Sequence, residues 1–133
     1  MRPRSPFRDE SGSATTQAVV VFPAVMLVVL LVLQFAVYQH ASHVVTAAAQ
    51  HGATATQGER ASATVGEQAA WSFLRQADSG LLVGPDVDVV RGANVSHVVV
   101  SAHVVALVPG LSWLTVRGEA DGPVERFYSS EER

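Results

Sequence analysis

The sequence contains no cysteine, which excludes a disulfide framework and a cysteine-ligated zinc site. It leaves the compartment open, because many exported proteins have no disulfide. Lysine is absent as well, and all nine basic residues are arginines. With its many Ala, Val and Gly residues, this is the composition of a GC-rich bacterial genome. Positive charge is scarce where a partner would need it. Past Tyr38, ten acidic residues face six arginines, and the net charge of the chain is −3. No basic stripe exists there, which argues against nucleic-acid binding. Catalytic fingerprints are missing too: there is no G-x-S-x-G, H-E-x-x-H, P-loop or dinucleotide motif. We therefore expect no enzyme activity and no cofactor.

The few candidate ligands are poorly placed for joint chemistry. His40 and His43 are three apart and share a helix face, but no carboxylate lies near them in sequence. His51 is three turns from His40, about 16 Å away. His97 and His103 point to one side of a strand yet lie about 20 Å apart along it. Asp86 and Asp88 flank Val87 and read as a solvated strand edge or a turn. Asn94, Val95 and Ser96 form a formal glycosylation acceptor, which carries little weight in a bacterial chain. At 133 residues the chain has room for one domain at most.

What the sequence does have is one long apolar run. Residues 18–38 are interrupted only by Pro23 and Gln34. As a helix they rise about 31 Å, close to the thickness of a bilayer's hydrocarbon core. Only a helix satisfies its own backbone there, so a spanning helix is expected. Tyr38 stands where an interfacial aromatic belongs. Arg2, Arg4 and Arg8 precede the run, and the next arginine is Arg60. The positive-inside rule then puts the N-terminus in the cytoplasm and the C-terminal part outside. A cleaved secretory signal fits less well. Its apolar core would be shorter, and the nearest A-x-A, at Ala47, Ala48 and Ala49, is too far downstream.

The residues before the run, Gly12, Ser13, Ala14, Thr15, Thr16 and Gln17, resemble the end of a prepilin-type leader. More narrowly, the segment resembles a TadE-like pseudopilin of the tight-adherence pilus system. Gly12, Ser13, Ala14 and Pro23 fall at that family's positions. So does the alanine-rich element of residues 47–53, and the valine-rich strands with their Pro-Gly turn at Pro109 and Gly110 are similar to the family's C-terminal part. Gln17 stands where the family has a glutamate, and Ala18 follows where an apolar or aromatic residue is usual. The resemblance implies cleavage between Gly12 and Ser13 by a prepilin-type peptidase on the cytoplasmic side. It implies Gln17 as the helix docking position, and lateral association with other pilin-like subunits or pilus platform proteins. The alternative is a single-pass anchor that presents a small partner-binding domain outside the cell.

The resulting division is a basic leader at 1–12, a transmembrane helix at 13–39 and an extracytoplasmic α+β domain at 40–133. The helix is expected to run on past Tyr38, because Val37, Ala41, Val44, Ala48, Gly52 and Ala55 share one face. Gln39, His43, Thr46, Gln50 and Gln57 take the other side. This small-residue stripe reads as a packing face more than as a subunit seam. After a break at Gly58, residues 59–78 read as a second helix with Ala63, Ala70, Phe73, Leu74 and Ala77 on its apolar face. Trp71 and Phe73 are expected to be core, and Ser79 with Gly80 to stop the helix. Three strands follow: a short one at 87–91, the best at 95–108 and a return at 112–118. Even positions of the middle strand, Val98, Val100, Ala102, Val104, Ala106 and Val108, should face the core. The tail at 129–133 reads as disordered. The expected fold is thus pilin-like α+β: a long N-terminal helix, a second helix and a small antiparallel three-stranded sheet.

Overall fold

The computed structural model describes residues 11–58, 60–77 and 80–124, with side chains from Gln17 onward. Residues 1–10 of the basic leader, with Arg2, Arg4 and Arg8, lie outside them, as do Glu59, Asp78, Ser79 and the charged tail. Five elements follow in chain order: α1 (Ser11–Ala55), α2 (Ala63–Ala77), β1 (Leu82–Arg91), β2 (Val95–Val104) and β3 (Thr115–Pro123). They make the expected α+β fold. The sheet is an antiparallel meander in the order β1-β2-β3, and both helices pack against it.

α1 is one continuous helix of 45 residues, about 67 Å long. Pro23 lies inside it. A proline has no N–H to give, so the carbonyl of Val19, four residues earlier, loses its helical partner. From Gln17 to Leu33 every side chain is exposed, including Val19, Phe22, Val28 and Leu33. Burial starts at Gln34 and then recurs at Ala41, Val44, Val45, Ala48, Ala49 and Ala53. The small-residue stripe is therefore the seat of the domain, as its periodicity predicts.

Small residues let the layers approach closely. A Cβ added to Gly118 of β3 would stand 2.6 Å from the backbone N and Cα of Thr46 in α1. No side chain can swing away to make room, so only glycine fits. The two helices meet in the same manner at Gly52, where a Cβ would lie 3.0 Å from the carbonyl oxygen of Gly66 in α2. α2 buries Gly66, Ala70 and Leu74, with Trp71, Phe73 and Ala77 half-buried beside the core. Its first turn is fastened by Ser62, whose carbonyl accepts from Val65 N at 3.1 Å and Gly66 N at 3.3 Å.

β2 is the central strand. Ser96, Val98, Val100, Ala102 and Val104 point into the core, while His97, Val99, Ser101 and His103 face the open side. The expected register is the observed one up to Val104, whereas Ala106 and Val108, expected on the same strand face, lie in the loop beyond it. The strand stops at Val104, though the apolar run continues. Residues 105–114 leave the sheet and lie against α1, so their apolar character serves helix contact and not strand pairing.

The outer strands differ more from expectation. β1 starts at Leu82, five residues before the expected Val87. Gly84 and Pro85 look like a break in the sequence, but they form a bulge between the pairs Val83–His103 and Asp86–Ser101, with Gly84 at φ 57°. Proline is tolerated because β1 is an edge strand. β3 runs to Pro123 and not to Gly118. Its inward positions after Val116 are Gly118, Ala120 and Gly122, too small to register as a hydrophobic alternation.

Candidate functional site

The candidate site is α1 itself, together with the domain's hold on it. Gly12 and Ser13 lie in the first turn of the helix. Gln17 follows and is exposed. From Gln17 the helix is long and apolar enough to cross a membrane by length and composition. Its bare part, residues 17–33, is apolar all round. That is the surface lipid tails or other apolar helices accept, and water does not.

Gln34, which sequence alone presents as a mere interruption, is 3% exposed. Its amide makes two bonds to the loop after β2. Nε2 donates to the carbonyl of Val105 at 3.2 Å, and Oε1 accepts from the N–H of Leu107 at 2.6 Å. The Val105 carbonyl and the Leu107 N–H are thereby paired beyond the end of β2. Around the clamp, Leu111 and Leu114 line an apolar hollow with Leu31, Phe35 and Tyr38 of α1. The domain's grip thus reaches down the helix to Gln34, within the stretch 13–39 that the sequence assigns to the membrane. A polar residue in an otherwise apolar helix was the available signal, but its partner is 71 residues away.

The upper end of α1 is fastened by Arg91, at the end of β1. Its Nε donates to the carbonyl of Thr56 at 3.3 Å and a terminal nitrogen to that of Gly58 at 3.2 Å. A cation beside the carbonyls at and just past a helix C-terminus is electrostatically favoured. Thr56 and Ser96, both buried, bond hydroxyl to hydroxyl, and Ser96 also donates to the carbonyl of Gly122 at 3.3 Å. Among the described residues no buried side-chain polar atom lacks a partner.

The histidines stay apart. His40 and His43 are exposed on α1, and His51 stacks on Phe73 with ring centroids 4.5 Å apart. Among the described residues no group of three His, Cys, Asp or Glu is placed to hold a metal ion. On the open face of the sheet, His97 Nδ1 lies 2.5 Å from Asp121 of β3, across the register pair the two residues form. The Asp121 hydrogen bond is the main reason the His97 pKa is raised. Desolvation opposes it, while the charges of Asp121 and Glu119 support it and that of Arg117 works against it. His103 Nδ1 is 3.2 Å from Thr115 Oγ1. Sequence reading missed both partners, because strand pairing brings them together.

This geometry can be compared with known proteins. A family model matches residues 12–54, nearly the bounds of α1. The matching family is the TadE-like proteins. The TadE-like segment thus includes the bare apolar part, Gln34 and the small-residue seat, and it stops where the helix ends. α2 and the sheet lie beyond the match. No curated protein and no solved structure matches the chain.

Proposed function

We propose that the protein is a membrane-anchored minor pseudopilin that takes part in assembling a tight-adherence type pilus or a related secretion apparatus. The observation that carries this reading is the coincidence of the TadE-like match with one unbroken helix, bare and apolar over residues 17–33. The bare part spans the cytoplasmic membrane, with Arg2, Arg4 and Arg8 inside and the domain outside. A prepilin-type peptidase cuts between Gly12 and Ser13 and leaves the helix on the mature chain. The helix then moves from lipid to a lateral contact with other pilin-like subunits, since both surroundings are equally apolar.

Gln17 defines the place such a subunit takes. A carboxylate here would be costly alone in lipid and strongly attracted to a neighbour's freed amino group. Gln17 accepts a hydrogen bond from an ammonium but offers no net charge. The protein is accordingly a subunit of limited copy number, at a base or tip, and not the main filament subunit. Crosslinking in membranes tests this, with wild type compared against Gln17→Glu and Gln17→Leu. The expected result is stronger crosslinking to pilin-like partners for Gln17→Glu and weaker for Gln17→Leu. Equal crosslinking by all three would remove the docking role from position 17. N-terminal sequencing of the membrane-extracted chain tests the processing step: Ser13 is the expected first residue, and an intact Met1 would refute cleavage.

A further inference from the structure

The loop of residues 105–114 has a surface that the fold leaves uncovered. Trp113 is 69% exposed and Leu107 42% exposed. From Val104 to Val116 the sequence holds no charged residue. Single exposed apolar residues are ordinary on a soluble surface, and these two gain meaning only where they extend a larger apolar surface.

The position of the loop supplies one. Gln34 bonds it at Val105 and Leu107, and Leu111 and Leu114 rest against Leu31, Phe35 and Tyr38. Leu31 belongs to the bare part of α1, and Phe35, 63% exposed, continues it upward. The loop therefore sits beside the last turns of the apolar run, at the height where the helix leaves the hydrocarbon. Val83, also exposed, joins the same end of the sheet through its pairing with His103. The turn at the other end of the sheet, residues 92–94, is Gly, Ala and Asn; Val90 and Val95 are exposed beside it, but no aromatic residue and no bare helix adjoins them.

We propose that residues 105–114 form a foot on the outer surface of the lipid bilayer, with the Trp113 ring and Leu107 seated at the headgroup level. The proposal rests on the reading of α1 as a membrane anchor. A tryptophan suits that layer, because its ring is apolar and its indole N–H finds a polar partner there. The loop carries no charge into the layer, and its Val105 carbonyl and Leu107 N–H are already paired with Gln34. With α1 as one attachment and the foot as a second, the domain is held upright at a fixed height. Lifting a subunit out of the membrane then means detaching the foot as well as the helix.

Tryptophan fluorescence tests this in the full-length chain reconstituted into phosphatidylcholine vesicles. The sequence has two tryptophans, and Trp71→Phe leaves Trp113 alone. Should Trp71→Phe misfold, the difference between wild type and Trp113→Phe gives the same signal, because Trp113 is exposed and dispensable for packing. Lipids brominated just below the headgroups should quench Trp113 several-fold more than lipids brominated at the chain ends, and its emission should be blue-shifted. Emission at the water value, with quenching no greater than that of Trp71, in a chain that floats with the vesicles would overturn the foot and leave the anchor standing. A blue shift that grows with the protein-to-lipid ratio would instead assign the surface to a second copy and overturn the proposal. A chain that fails to float would overturn the anchor and the foot together.

Discussion

The lower and upper parts of α1 are the same secondary structure with two different surfaces. Below Gln34 the helix carries Val, Leu, Phe and Met on every side, and all are exposed. Above it the residues are mostly Ala, Thr, His, Gln and Gly, with one buried stripe. Lipid has no hydrogen-bonding partner to offer, so it asks for an apolar surface all round and is indifferent to side-chain size. A packed sheet asks for one face only, and there size decides, because Gly118 brings β3 against the backbone of Thr46. Side-chain volume and symmetry around the axis thus identify the surroundings of a helix better than hydropathy alone.

An acidic residue placed in each part should separate them most sharply. Val100→Asp puts an unpaired charge where the helix seat meets the sheet, at a fully buried position. It should cost on the order of 4 kcal/mol or more and unfold the domain in detergent, as read by urea melts. His103→Asp, one strand face away, should melt near wild type. Val28→Asp should leave the domain's melt unchanged and instead reduce membrane insertion, by roughly 3 kcal/mol for a charge at mid-helix. Equal loss of domain stability from Val100→Asp and Val28→Asp would end the division.

The next effect is steric. Gly118→Ala adds one methyl against backbone that cannot yield, and we expect a loss of about 1–3 kcal/mol by urea denaturation. The same change at Gly110, where no atom lies within 4 Å, should act only through its φ of 92°. A smaller loss at Gly118 than at Gly110 would show that β3 does not depend on close approach to α1.

Much of this division is readable in the sequence. The apolar run, the Ala and Gly stripe and the alternation from Ser96 to Val104 each repeat with the period of their element, and one stretch of chain suffices to see them. The bounds of β1 and β3 are less legible, because Gly84, Pro85, Gly118 and Gly122 are residues whose usual meaning is a turn. Only the tertiary setting makes them a bulge and an inward strand face. Gln34 is the clearest case of a site hidden from sequence. Its polarity is visible, but the carbonyl and the N–H that need it belong to a loop far along the chain. Arg91 at the end of α1 and Asp121 beside His97 are hidden for the same reason.

Gln34→Leu tests whether that clamp joins the two parts. It leaves the Val105 carbonyl and the Leu107 N–H without partners, at a cost of about 1–2 kcal/mol. Hydrogen exchange at Leu107 should accelerate, while β2 stays protected. Unchanged exchange at Leu107 would mean that the loop is held by apolar contact alone.

The smallest effect expected is at the open face of the sheet. The raised His97 pKa means that the pair with Asp121 contributes fully below 6.5, the ordinary histidine value, and that the contribution is lost as pH rises through the raised one. The pair is exposed, so salt should weaken it further. The difference in Tm between wild type and His97→Ala should therefore be small below pH 6.5 and vanish well above it. A difference that grows with pH would reverse the assigned sign.

The absence of native cysteine makes the central division directly measurable, since any introduced thiol is the only one present. Single cysteines at Val21, Val28, Gln39, His43 and Gln50, all exposed positions on α1, can be challenged in intact cells with a maleimide that does not cross membranes. If the lower part of α1 lies in lipid and the upper part carries the domain outside, Gln39, His43 and Gln50 should label and Val21 and Val28 should not. Labelling of Val28 to the same extent as Gln50 would contradict the account.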